Sequence, residues 1–180
     1  MPPKKSKLSP EQLFAVVKES YADLVASENA GSPGPTAMEA HIELSDAAWS
    51  QGSDARFQEF MTFCRDDSRL YLDLLSCVSA VDYPDRDVIE VVYFLDSTVH
   101  NHWLVVKAPL PRSAPSIATV EKIWRTADWH EREAFDLLGV EFRGHHNLVR
   151  ILCAEDWVGH PLRKDYVAPD EVHGMKNVVY

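Results

Sequence analysis

The 180 residues, 20.4 kDa, carry 18 Lys and Arg against 28 Asp and Glu, a formal net charge of -10, with 46% apolar and 26% charged side chains. That composition describes one ordinary globular domain, able to remove roughly 70% of its unfolded surface from water without a disulfide or metal staple. The acidic balance and scattered basic residues argue against a nucleic-acid binder, and no apolar run approaches the ~18 residues of a membrane-spanning helix.

The basic start, Met1-Pro2-Pro3-Lys4-Lys5-Ser6-Lys7, has no apolar stretch or cleavage site behind it, and reads as a frayed end and not a secretory leader. Ser9-Pro10-Glu11 then combines a hydroxyl cap, a proline at the first helical position and a first-turn acid; it predicts a helix with Leu13, Val16, Val17 and Leu24 on one face. Residues 26–37 are small, polar and rich in Gly and Pro, which predicts a linker. A short strand follows over His41 to Leu44, and Phe57, Phe60, Met61 and Cys64 recur at helical spacing within Asp54 to Arg65.

Leu70, Leu72 and Leu74 alternate with Tyr71 and Asp73, which predicts a half-buried strand running toward Val78. Val88 to Leu95 and His102 to Val106 are further strands, the first reached through the turn chemistry of Pro84-Asp85-Arg86-Asp87. Pro109, Pro111 and Pro115 predict the end of the sheet. The order of elements predicts a two-layer α+β domain over 9–139, with helices on one face of a mainly antiparallel or mixed sheet, after a disordered stretch over 1–8.

The last third differs. Asp128 precedes a helical run with Glu131 three residues on, a capping-box variant, and Gly139 closes it at a left-handed position; Trp129, Phe135 and Leu138 are placed inward, while Arg132 and Asp136 share a face. Residues 140–180 have neither helical nor strand period, yet hold Phe142, Leu148, Ile151, Leu152, Trp157, Leu162 and Tyr166. That pattern predicts an extended arm whose apolar anchors shelter on another protein, with Arg150, Trp157, Arg163 and Tyr166 as its strongest contacts.

Five of eight histidines lie here: His130, His145, His146, His160 and His173. A metal enzyme built on His130, Glu133, His145 and His146 is one reading, but position 134 is Ala, so the two-histidine helix of a metalloprotease is missing and a structural role is preferred. The odd, widely spaced Cys64, Cys77 and Cys153 fit a reduced compartment and not a four-thiolate site. Cys153 reads as a buried, inert thiol, and no phosphate-binding or acyl-transfer motif is present.

The stretch from Ala127 to Tyr166 carries a resemblance. Trp129-His130-Glu131-Arg132-Glu133-Ala134-Phe135-Asp136-Leu137-Leu138-Gly139-Val140, followed by Phe142, Leu148-Val149-Arg150-Ile151-Leu152 and Trp157-Val158-Gly159-His160-Pro161-Leu162-Arg163-Lys164-Asp165-Tyr166, closely resembles the C subunit family of respiratory complex I, the proton-pumping NADH:quinone oxidoreductase. Asp82-Tyr83-Pro84-Asp85-Arg86 and Val91-Val92-Tyr93 extend the likeness more loosely, to about residues 40–166. The resemblance implies a peripheral-arm subunit on the cytoplasmic face of a prokaryotic inner membrane, with no catalytic residue and no cofactor or metal of its own. FMN, iron-sulfur clusters and quinone would sit on partners, and the C-terminal segment would wrap the large quinone-site (D) subunit. It implies interface roles for Trp129, Glu131, Arg132, Glu133, Asp136, Gly139, Arg150, Trp157, Gly159, His160, Pro161, Leu162, Arg163, Lys164, Asp165 and Tyr166. The chain departs from the family at His145-His146, where His-Pro is usual. A homologous subunit of a membrane-bound hydrogenase or a ferredoxin- or plastoquinone-linked complex is the alternative reading.

Overall fold

The computed structural model describes residues 7–29, 40–50, 52–172 and 174–176. Helix α1 (Pro10–Tyr21) opens with the expected cap: the Ser9 hydroxyl accepts from Gln12 N–H while the Gln12 side chain accepts from Ser9 N–H. Strands β1 (Val25–Asn29) and β2 (Ala40–Leu44) follow, then α2 (Asp54–Asp66), β3 (Leu74–Tyr83), β4 (Val88–Asp96) and β5 (Trp103–Pro111). They form one five-stranded sheet in the order β1-β2-β5-β4-β3, in which only β2 and β5 run parallel. Beyond it, β6 (Ser116–Ala118), α3 (Ala127–Leu138) and β7 (Glu141–Arg143) make a small parallel crossover, and β8 (Glu171–Val172) pairs with β9 (Met175–Lys176).

Strand alternation decides the core. Val91, Tyr93 and Leu95 of β4 and Leu104, Val106, Ala108 and Leu110 of β5 lie on the face that the helices cover, and all are buried. Phe57 of α2 sets its ring 5.9 Å from Tyr93, and Tyr21 of α1 meets Phe60 edge-on at 5.4 Å. The opposite face shows Val81 and Phe94 to solvent. The α+β class and the one-sided helical layer are therefore as the sequence predicts.

Several local expectations need correction. The start of the predicted linker is strand β1, because Val25–Asn29 pairs with β2; residues 30–39 and the first six residues lie outside the described set. The strand predicted from Leu70 begins at Leu74: Tyr71 takes a positive φ of 42° in a turn, so buried Leu70 and Leu72 belong to that turn and Leu74 is 40% exposed. Pro109 and Pro111 do not end the sheet. They stand in β5 opposite Glu90 and Val88, beyond the last β2 partner at Lys107, so their missing N–H groups fall where the edge has no ladder. Helix α3 starts two residues early, after Thr126, and Asp128 makes no capping bond; Trp129 points outward and is 63% exposed.

The stacked pair His100 and His102 is buried under the N-terminal residues. Leu8 N–H donates to His102 Nδ1 at 3.3 Å, so the ring proton sits on Nε2 and is donated to the Leu70 carbonyl at 2.7 Å. Burial lowers the His102 pKa from 6.5, against the opposing pull of the Leu70 carbonyl. A depressed histidine contributes stability above its unfolded value of 6.5 that is lost as pH falls toward the folded pKa. The expected NMR titration of His102 therefore has a midpoint below 6.5, and the Leu8 amide loses its exchange protection at that same midpoint, because a second ring proton faces its N–H.

Candidate functional site

Helix α3 and the segment after it form one polar construction. Asp136 is fully buried, and its Oδ2 accepts the backbone N–H groups of Ile151, Leu152 and Cys153 at 3.1, 2.8 and 2.9 Å. Its Oδ1 accepts from Arg150 Nη1 at 2.7 Å, and the same guanidinium reaches the Asp136 and Gly159 carbonyls, each at 3.0 Å. Burial alone would push this carboxyl up; the three amides and Arg150 together hold it far below the usual carboxylate range. Cys153 itself is half-buried and not fully enclosed, and burial with the Asp136 charge beside it pushes its thiol up, away from the reactive thiolate.

The end of α3 explains the second motif. Terminal carbonyls of a helix have no partner within it. Here Gly139 turns at φ 76° and donates to the Phe135 carbonyl at 2.9 Å. Asp136 O meets His160 Nδ1 at 3.0 Å, Leu137 O accepts from Leu162 N–H at 3.0 Å, and Leu138 O accepts from Arg163 Nε at 2.8 Å. The Gly159-His160-Pro161-Leu162-Arg163 run thus caps the C-terminal end of helix α3. A Cβ on Gly139 would lie 2.6 Å from His160 Nε2 and 3.0 Å from Arg163 Nη2, so only glycine admits this approach. Lys164 N–H donates to buried Asp82 at 2.7 Å, and Arg112 bridges Asp82 to Asp165 at 2.7 and 2.6 Å, which pins the run to the sheet.

Residues 140–170 therefore do not leave the domain as a free arm; their backbone is fastened to α3 and β3. Val140 and Phe142 enter the core and Leu148 packs against it, but five other apolar side chains of the segment face the other way. Val149, Leu152, Val158, Leu162 and Val167 are 47% to 85% exposed; Trp129 is exposed too, and the Arg132 guanidinium lies over its ring at 5.0 Å. Arg132 Nε donates to the Val149 carbonyl and makes no pair with Asp136. Trp157 and Tyr166 are half-buried, with indole and hydroxyl groups unpaired among the described residues, while Glu133, Gly159, Lys164 and Asp165 are exposed and Pro161 is half-buried. Glu131 and Asp136 have no surface, so their partners lie within the chain.

Glu131 is not a cap. Its carboxylate accepts from the Thr119 hydroxyl and from Val120 N–H at 2.8 Å, tying α3 to the loop after β6. Burial raises its pKa to about 7, against those two hydrogen bonds and with help from Glu121 and Asp128. The predicted set His130, Glu133, His145 and His146 does not assemble. His130 and Glu133 line a slot beside β3, whereas His145 and His146 stack on each other and meet Glu121 and Asp128. Asn147 N–H donates to His145 Nδ1 at 3.0 Å, so the proton sits on Nε2, 3.4 Å from Glu121 and from Asp128. That nitrogen offers a proton, not a lone pair, and the cluster suits proton sharing better than a cation. His146 Nδ1 pairs with Glu121 at 2.6 Å, which raises the His146 pKa. Glu121 and Asp82 are legible in the sequence only as acids interrupting apolar residues.

Asp136→Asn leaves three amides and Arg150 without a charged acceptor; stability is expected to fall by about 3 kcal/mol, and limited proteolysis to cut within 150–165 in the variant before the parent chain is touched. Glu131 has a raised folded pKa, so its protonated form contributes stability at pH below 4.5 that is lost as pH rises through about 7. Glu131→Gln, measured by denaturant unfolding, therefore gains on the parent chain by about 2 kcal/mol between pH 5 and pH 8.

Known proteins resemble this chain along most of its length. The family model described as "Respiratory-chain NADH dehydrogenase, 30 Kd subunit" matches residues 51–172. The C subunit of NADH-quinone oxidoreductase from Chloroherpeton thalassium is 40% identical over 167 residues, 92% of this chain and 64% of that relative. Its counterpart from Chlorobium phaeobacteroides is 37% identical over 164 residues, 91% of this chain and 92% of the relative. Among solved structures, Nqo5 as a trypsin-resistant fragment matches with a TM-score of 0.58 at 25% identity, over 76% of this chain and 98% of that one. The membrane-bound sulfane sulfur reductase, an archaeal respiratory membrane complex, matches at 0.62 and 22% identity over 87% and 85%, a likeness of fold alone. With the motif helix, its cap and the matched segment coinciding, the chain belongs to the 30 kDa subunit family of the respiratory-chain NADH dehydrogenase, the family of the NADH-quinone oxidoreductase C subunits.

Proposed function

We propose that this chain is a docking subunit of a proton-translocating NADH:quinone oxidoreductase and carries no redox chemistry itself. FMN, iron-sulfur clusters and quinone belong to neighbouring subunits, and this one holds the quinone-site (D) subunit in register with the cluster-bearing chains on the cytoplasmic face of the membrane. No helix among the described residues is long and apolar enough to cross a bilayer, so the chain reaches the membrane through its partners. The observation that carries this reading lies in residues 149–167: the Ile151, Leu152 and Cys153 amides are bonded inward to Asp136, while the side chains of Val149, Leu152, Val158, Leu162 and Val167 stay exposed. Exposed apolar surface on a rigid support suits docking, because little conformational freedom remains to be lost on association. Electron transfer and quinone reduction depend on placement, so a rigid clamp serves turnover without touching electrons. The names of the relatives favour the NADH-linked complex over the hydrogenase-like one.

Co-purification from solubilised membranes with mass spectrometry of the bound chains tests this. Leu152→Asp with Val158→Asp is expected to lower recovery of partner subunits about tenfold while the thermal midpoint of the isolated chain stays within about 2 °C. Arg163→Ala, which frees the Leu138 carbonyl, lowers assembly more than it alters quinone affinity in the complex that remains. Fully assembled variant complex with an impaired quinone step would contradict the reading.

A further inference from the structure

Strand β3 lies at the edge of the five-stranded sheet and is ten residues long, Leu74–Tyr83, with no Pro, Lys or Arg in it. Edge strands are usually short, charged with lysine or interrupted by proline, because their open backbone groups pair with any extended chain. A bulge between Leu75 and Cys77 is the one irregularity in its register.

Which backbone groups are open follows from the prolines of β5. Pro109 and Pro111 stand opposite Glu90 and Val88 and have no N–H to exchange, so Glu90 and Val88 direct their own backbone groups toward β3. Alternation carries this across: Cys77, Ser79 and Val81, opposite Phe94, Val92 and Glu90, bond to β4, and Val78, Ala80 and Asp82 turn their N–H and C=O groups outward. Leu75, on the far side of the bulge, has the outward phase too, and its carbonyl accepts the Thr126 hydroxyl at 3.0 Å. For Val78 and Ala80 no such partner is present among the described residues. Unpaired backbone polar groups next to a core call for a partner.

A slot of about 180 Å3 opens between these groups and α3, bordered by Cys77, Ala80, Glu133, Leu137 and Leu162. Apolar Val78, Ala80, Leu137 and Leu162 share its walls with His130 and Glu133, and its volume admits small side chains only. Glu133 flanks the Cys77 end, and the Asp82 end is occupied by Arg112 and the Lys164 backbone.

We propose that β3 receives a sixth strand: an extended segment of a partner polypeptide, with small apolar side chains toward α3 and a Lys or Arg beside Glu133, pairs with the outward backbone groups of Val78 and Ala80. This rests on the reading that the chain works inside an assembly, but it uses a surface that shares only Leu162 with the apolar row described above. The strand supplies partners for the four open groups, one N–H and one C=O on each of Val78 and Ala80, and the basic residue answers an acidic chain of net charge -10.

Amide exchange by NMR on the isolated full-length chain tests it, with the end-blocked peptide Lys-Val-Ala-Val-Ala-Thr as probe. In the free chain the Val78 and Ala80 amides are expected to exchange about a hundredfold faster than Ser79 and Val81, and about 1 mM peptide to slow them about tenfold. Ala80→Pro removes an outward N–H but no β4 bond, and is expected to abolish the peptide effect. Should that variant not fold, the parent chain's alternating pattern and its response to peptide decide alone. Uniform protection from Cys77 to Val81, no slowing by peptide, or protection that rises with protein concentration without peptide, which marks a second copy on the edge, would each overturn the proposal. Failure of the docking variants to lower assembly would sink the proposed function and leave this measurement unaffected.

Discussion

One buried carboxylate organises the C-terminal half of the molecule. Asp136 sits where helix α3 ends, without surface, and its cost of burial is offset only because three successive amides and Arg150 converge on it. Those amides belong to the segment that goes on to cap the helix through Leu162 and Arg163. The helix needs the segment to satisfy its carbonyls, and the segment has no regular structure of its own to hold it otherwise. The two motifs are halves of one hydrogen-bonded object.

That mutual dependence is why the sequence names the motifs and still misplaces their roles. Amphipathic helices and β-branched strands are local patterns, and Ser9, Phe57, Phe60 and Val88 to Leu95 are read correctly from their neighbours alone. Asp136 and Ile151–Cys153 lie fifteen or more residues apart, and a carboxylate that bonds backbone amides leaves no side-chain signature at the other end. Hydrophobicity alone places Trp129 inward, yet it stands on the face of α3 that is left bare. Glu131 looks like a cap because capping and deep burial put the same residue type one turn into a helix. Pro109 and Pro111 read as terminators because a single sequence does not show on which side of a strand the neighbour stops.

The acids and histidines around the start of α3 show the same contrast between composition and geometry. Counted along the chain, His130, Glu133, His145 and His146 look like ligands in waiting; in space the first two face β3 and the last two face Glu121 and Asp128. With its Nε2 proton directed at carboxylates, His145 presents a donor to an acidic cluster that burial would otherwise make more costly. His146 completes the Glu121 pair through both its ring and its own backbone N–H, and the second is a bond that a proline at this position could not donate.

The single parallel pairing in the sheet has a consequence for how the protein is made. Strand β2 finds its β5 neighbour only after α2, β3 and β4 have been built, whereas β3, β4 and β5 are joined by short connections and can zip together as they emerge. During translation the edge of β2 that will pair with β5 therefore stays open until Lys107, the last of its partners, has been made.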